Sequence, residues 1–139
     1  LWKTFWSIRT SPASRNVWYR LLHRKWPTSS LLHSFLPNLA PTPFCSFCPT
    51  THADLFHMAI ACPSILEIWE SIWEYHFIYT PFTTNGLWLA LSCLRFPSHP
   101  PYNTSPHQWI PVLSTTLLHI WRAHWAHHFD AVPIRPSII

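Results

Sequence analysis

Three cysteines and one histidine in the segment 45–62 constrain this chain more than any other feature of its sequence. Cys45, Cys48, His57 and Cys62 form a Cys-x2-Cys-x8-His-x4-Cys arrangement. Thiolate and imidazole are the usual ligands of tetrahedral zinc, and a two-residue gap lets two cysteines bind the same ion. Because four protein ligands leave no position open for a reactive water, the pattern predicts a structural zinc site and not a catalytic one.

Other interpretations of the cysteines must be weighed against zinc. Four cysteines could form two disulfides in a secreted protein, or they could be ordinary buried residues. The sequence starts with no basic-then-apolar signal segment, and three cysteines cluster beside a histidine, which favours metal binding. His52 is the competing imidazole, but its closeness to Cys48 would force a very tight loop, so His57 is preferred. Cys93 is distant from the cluster and is predicted to be a buried free cysteine.

The rest of the chain predicts an all-α protein. It has ten tryptophans and fifteen prolines but a single glycine, which excludes glycine-dependent phosphate loops and dinucleotide-binding motifs. We expect a small irregular helical domain built around the zinc site over 1–80, followed by a helical C-terminal extension over 81–139. Apolar spacing predicts helices over 1–8, about 13–24, 28–36, from Pro63 onward, 86–94 and about 107–130.

Two of these helices show apolar stripes, and two residues are typical of helix starts. The first stripe consists of Ile65, Ile68, Trp69, Ile72 and Trp73, opposite Glu67, Glu70 and Glu74. The second stripe consists of Leu117, Leu118, Trp121, Trp125 and Phe129. Asp54 is a candidate cap for a short helical turn that begins near His57. Pro63 suits the first position of the helix that follows it.

Charge is unevenly distributed along the chain, which the net charge of +4 conceals. Residues 1–44 contain six basic and no acidic side chains, whereas residues 45–80 contain four acidic and no basic ones. The basic third predicts contacts with nucleic acid, chiefly through Arg15, Arg20, Arg24 and Lys25. The alternative is that it simply faces the acidic helix after the zinc site. We expect no membrane span, because the uncharged run 75–94 is interrupted by Pro81 and Gly86.

The remaining histidines and nucleophiles do not form a recognisable catalytic motif. His124 and His128 have the i, i+4 spacing that can hold a metal, but no glutamate stands between them as a metalloprotease motif requires. We expect them to be packing or solvated residues. A hydrolase that uses histidine with serine or cysteine has no local motif to support it, so the chain is predicted to be non-catalytic.

Several matches around the cluster resemble one known family. Trp18-Tyr-Arg-Leu-Leu-His23 followed by Pro27-Thr28, then Cys62-Pro63 with Trp69, resembles the zinc-binding domain that follows the reverse transcriptase in non-LTR retrotransposon polyproteins. The segment 120–125 is similar to the tryptophan-rich helix that often follows that domain. The strong resemblance covers about residues 2–73.

The resemblance implies a structural zinc module that handles element RNA or target DNA. The alternative is a protein-interaction module that packs against the upstream polymerase region without touching nucleic acid. The reverse transcriptase itself is not in this sequence, since Asp54 and Asp130 are its only aspartates. The first residue is Leu1 and the single methionine is Met58, which predicts a piece of a longer polypeptide or a decayed copy of one. Nuclear and cytoplasmic locations both fit such a product.

Overall fold

The protein is all-α, as the sequence predicts. The computed structural model describes residues 2–26, 28, 34, 44–45, 47–48, 54–98 and 104–130, with only the backbone for 127–130. Within those ranges the regular elements are helical and no strand occurs. The elements are α1 (Trp2–Ser7), α2 (Pro12–Leu22), a π-helical segment (His57–Ala61), α3 (Pro63–His76), α4 (Thr84–Cys93) and α5 (Pro106–Asp130).

Helix α2 begins and ends for local reasons that its sequence contains. The Ser11 hydroxyl accepts a hydrogen bond from the Ser14 amide at 3.0 Å. Pro12 occupies the first turn, where a backbone N–H would have no partner within the helix, so proline costs no hydrogen bond there. The helix ends at Leu22, and Arg24 then adopts a left-handed conformation with φ of 54°. The predicted helix over about 13–24 is therefore confirmed, with its end two residues earlier.

Helix α3 has the amphipathic pattern that the sequence predicts. Pro63 opens the helix, and four residues of the predicted stripe are buried while Ile72 is half-buried. The three glutamates lie exposed on the opposite face. The apolar stripe thus fixes which side of α3 turns to the core.

Helix α4 confirms one expectation and corrects another. It is predicted over 86–94 and observed over Thr84–Cys93, with Leu87, Leu91 and Leu94 buried. Cys93, however, is exposed, so its prediction as a buried cysteine is wrong. At about 100° per residue, Cys93 lies about 200° from Leu91 and therefore on the far side of the helix.

The buried face of α5 is rotated relative to the predicted stripe. Leu117 and Leu118 are buried, but Trp121 and Trp125 are only half-buried. The innermost face also includes Trp109, Ile110, Leu113, Thr116, Ile120 and His124. The helix packs against α1, α2, α3 and the π-helical segment, so more than one of its sides is covered.

One hydrophobic core gathers residues from both predicted units. Its members include Trp18 of α2, Ile60 of the π-helical segment, Trp69 of α3, Leu91 of α4 and Leu117 of α5. The division at residue 80 stays a prediction. No helix in the described ranges is both long and apolar enough to cross a membrane.

Some expectations fall outside the described residues. These are the helix over 28–36 apart from Thr28 and Ser34, the competing ligand His52, and the side chains of His128 and Phe129.

Candidate metal centre

The four predicted ligands come from two separate pieces of the chain. Cys45 and Cys48 lie outside the helices, between α2 and the π-helical segment, and His57 opens that segment. Cys62 ends that segment and immediately precedes α3. The Asp54 carboxylate accepts a hydrogen bond from the His57 amide at 2.8 Å, so Asp54 caps the turn as predicted.

The ligand atoms cluster, and the sulfur–sulfur distances from Cys62 fit one tetrahedral ion. The three Sγ atoms and the His57 imidazole nitrogen lie within 4.8 Å of one another. The Cys62 Sγ is 3.8 Å from both the Cys45 Sγ and the Cys48 Sγ. Zinc bound at about 2.3 Å by two sulfurs in tetrahedral geometry would hold them about 3.8 Å apart. The four side chains could therefore hold a metal ion, and the donor set is that of structural zinc.

One ligand pair is closer together than a bound ion would allow. The Cys48 Sγ lies 3.0 Å from the His57 Nε2. In a tetrahedral zinc site a sulfur and a nitrogen are about 3.6 Å apart. Cys48 is half-buried whereas Cys45, His57 and Cys62 are buried, so Cys48 is the ligand with room to move outward.

The two buried thiols that face each other strongly affect each other's proton affinity. The hydrogen bond from Cys62 lowers the pKa of Cys45 to about 4, although burial acts in the opposite direction. The same contact, together with burial, raises the pKa of Cys62. A divalent cation would favour the thiolate at both positions, because its charge compensates the two negative sulfurs.

The π-helical segment leaves two backbone carbonyls without a donor from Pro63, and side chains donate to them instead. The Cys62 amide donates to the His57 carbonyl at 3.0 Å, five residues back. Pro63 follows with no N–H, so the Met58 and Ala59 carbonyls receive no donor from it. The Trp69 indole N–H donates to the Ala59 carbonyl at 2.7 Å.

The Met58 carbonyl is satisfied from the far end of the chain. The His124 Nε2 lies 2.8 Å from the Met58 oxygen, and because a carbonyl only accepts, that nitrogen must carry the proton. The His124 ring also packs against Phe47, with centroids 4.8 Å apart. Buried His124 therefore connects α5 to both halves of the candidate metal centre.

The four predicted nucleic-acid residues do not share one environment. Arg15 is half-buried, its Nη2 donates to the Ile8 carbonyl at 2.6 Å, and its guanidinium lies 5.5 Å from the Trp6 ring. Arg15 thus joins α1 to α2. Arg20, Arg24 and Lys25 are exposed at the end of α2.

A further cation that the sequence analysis did not include lies beside this basic end of α2. Exposed Arg122 of α5 and Arg20 line the same groove of about 260 Å³, whose wall includes Trp121. The guanidinium of Arg20 lies 6.0 Å from the Trp121 ring. The long sequence separation between Arg20 and Arg122 explains why the pattern of charge along the chain did not reveal this pair.

Comparison of the chain with protein-family models, with curated proteins and with solved structures found no match.

Proposed function

We propose that this chain is a zinc-stabilised helical module that binds nucleic acid through the basic end of α2. The observation that carries the proposal is the exposure of Arg20, Arg24 and Lys25 close together, with Arg122 adding charge from α5. The sequence places no acidic residue in 1–44 to neutralise them. Clustered exposed cations attract the phosphate backbone of DNA or RNA.

The packing of α2 favours this partner over an internal one. Among the described residues, helix α2 packs chiefly against α4 and α5, and it has no extensive contact with the acidic helix α3. Glu67, Glu70 and Glu74 are exposed on α3. The basic residues are therefore available to an external polyanion.

The resemblance over residues 2–73 supports a more specific proposal. The module would belong to the polyprotein of a non-LTR retrotransposon and would handle element RNA or target DNA. Trp69, which that resemblance includes, has a definite role here because its indole N–H donates to the Ala59 carbonyl, four residues before Pro63. The module would be non-catalytic, since its four ligands would occupy all four positions of a tetrahedral zinc ion.

The experiment is a binding titration against salt. Fluorescence anisotropy with labelled single-stranded and duplex RNA and DNA would be measured between 50 and 200 mM salt, roughly the range over which phosphate contacts weaken most visibly. We expect affinity to fall steeply with salt and to fall at least about tenfold in the triple variant Arg20→Glu, Arg24→Glu, Lys25→Glu. The control variant Glu70→Gln, Glu74→Gln should bind at least as well as the wild type. Failure of every nucleic acid to bind at low salt would refute the proposal.

A second candidate function rests on a different surface. Tyr75, Ile78 and Tyr79 are 80%, 68% and 65% exposed at the end of α3 and just beyond it. Exposed aromatic and aliphatic side chains next to one another are typical of protein interfaces. This surface would pack against the upstream polymerase region. Unchanged RNA affinity in the charge-reversal variant, together with loss of the polymerase contact in Ile78→Asp, would favour this function over nucleic-acid binding.

A further inference from the structure

Three aromatic side chains form an exposed cluster where α1 meets α2. Trp2, Trp6 and Tyr19 are 45%, 42% and 39% exposed, and we call them the aromatic platform. The Trp2 and Trp6 ring centroids are 5.7 Å apart, and those of Trp6 and Tyr19 are 6.0 Å apart. The Trp2 to Tyr19 distance is 6.4 Å, so each ring is near the other two.

The aromatic platform is anchored from below and from the side. Phe5 is buried, stacks on Trp2 at 5.6 Å and meets the core residue Trp18 edge-on at 5.1 Å. The Arg15 guanidinium lies 5.5 Å from the Trp6 ring. Because the rings are already held in place, a ligand that stacks on them need not order them first.

Basic residues adjoin the aromatic platform in the sequence, and one of them contacts it. Lys3 and Arg9 are exposed on and just after α1, and Arg15 contacts Trp6 directly. His23 packs against Tyr19 with ring centroids 4.3 Å apart. The described residues of the first third carry no carboxylate side chain, since the sequence has none before Asp54.

This combination distinguishes the aromatic platform from the other exposed aromatic surface. Tyr75 and Tyr79 are more exposed, but Glu74 adjoins Tyr75, and Glu70 and Glu74 line the pocket that Ile78 helps to form. Carboxylates there would repel phosphate, whereas Lys3 and Arg9 beside the platform would attract it. Charge complementarity therefore assigns the platform to a polyanion that also carries flat apolar rings.

We propose that the aromatic platform stacks against unpaired bases of a single-stranded nucleic acid. This inference rests on the proposed function, and adds to it a preference for single strands and the residues that produce it. A base in a duplex has its faces covered by its neighbours, whereas an unpaired base can stack on tryptophan or tyrosine while nearby cations contact its phosphates.

The test compares single strands with duplexes of the same length. Zinc-loaded wild-type protein would be titrated with a labelled 12-nucleotide oligo(U) strand and with a 12-base-pair RNA duplex, about one binding site for such a module. We expect Trp2→Ala with Tyr19→Ala to weaken single-strand affinity by about tenfold or more and to leave duplex affinity and the salt dependence unchanged. Trp2→Leu with Tyr19→Leu should weaken it similarly while keeping apolar bulk. Tyr75→Ala is the matched control and should bind as the wild type does.

The possible failures are distinguishable. If the wild type binds no nucleic acid, the proposed function fails and this inference fails with it. If the wild type binds both forms, and the platform variants bind each form as tightly as the wild type does, only the stacking proposal is overturned. If the platform variants retain oligonucleotide affinity but lose contact with the upstream polymerase region, the platform is a protein-docking surface and the inference is wrong. Equal zinc content and equal helical circular dichroism establish that each variant is folded.

Discussion

His57 is the candidate ligand that most needs testing, because His52 is a competing imidazole nearby in the sequence. The structure places the His57 imidazole among the three thiols and fixes its backbone through Asp54. We expect the wild type to carry one zinc per chain and His57→Ala to lose it during gel filtration, since three ligands hold the ion much less tightly than four. Native mass spectrometry or metal analysis measures the content. Cys93→Ala, which removes an exposed thiol outside the cluster, should retain zinc. Full zinc content in His57→Ala would mean that His52, and not His57, is the fourth ligand.

Trp69 provides a second test with single-residue resolution. Its indole N–H is the side-chain donor to the buried Ala59 carbonyl, and phenylalanine would keep the ring while removing that donor. We expect Trp69→Phe to lower the free energy of unfolding by about 1 to 3 kcal/mol, the usual effect of leaving a buried carbonyl unsatisfied. Denaturant unfolding of the zinc-loaded protein gives the value. Trp88→Phe, at a half-buried tryptophan of α4, should change it by much less. Equal losses in the two variants would mean that ring volume matters and the hydrogen bond does not.

At the level of elements, the π-helical segment is a short unit that begins at the candidate ligand His57 and leads directly into the candidate ligand Cys62. Its start depends on the Asp54 carboxylate, so Asp54→Ala should cost about 1 kcal/mol of stability. Because the segment positions His57 and Cys62, we expect the same change to weaken zinc affinity by about fivefold, the factor to which about 1 kcal/mol corresponds. Competition with a chromophoric chelator measures the affinity. Asp54→Asn keeps an acceptor oxygen and should lie near the wild type. An alanine variant with unchanged zinc affinity would show that the ligands are positioned without the cap.

The elements that sequence predicted well are those with local causes. Side-chain capping explains why α2 begins after Ser11, and the missing N–H of proline explains why α3 begins at Pro63. The apolar stripe of α3 follows from the helical spacing of residues on one face. The Cys-x2-Cys spacing likewise predicted that the ligands would meet. These inferences need only neighbours within one or two turns.

The elements that sequence predicted less well depend on contacts between distant segments. The rotation of the α5 core face results from packing against several elements at once, and the bond from His124 to Met58 joins residues 66 positions apart. Likewise, the sequence does not reveal that the predicted nucleic-acid residue Arg15 contacts the Ile8 carbonyl and the Trp6 ring. The exposure of Cys93 could have been predicted from the helical period of α4. It was missed because free cysteines are usually buried.

For the whole molecule, the candidate metal centre joins parts of the chain that are otherwise separate. Cys45 lies between α2 and the π-helical segment, Cys62 adjoins α3, and α5 reaches the centre through His124. A bound ion there would hold all of these parts to the one hydrophobic core that they share. Loss of the ion would therefore destabilise parts of the fold well beyond the segment 45–62.

Metal removal should consequently unfold at least the first 80 residues. Structural zinc contributes about 10 kcal/mol or more in small zinc domains, which is comparable to the whole folding stability of about 5 to 15 kcal/mol that proteins usually have. We expect a chelator to abolish the cooperative thermal transition and most helical circular dichroism, and stoichiometric Zn²⁺ to restore both. Mg²⁺ is the matched control, because it prefers oxygen ligands and should restore nothing. Hydrogen exchange in α5 adds a second readout: we expect faster exchange there too, since buried His124 would lose its partner at Met58. A chelated protein with the wild-type transition would show that the core is stable alone and that the cluster of cysteines does not hold the fold together.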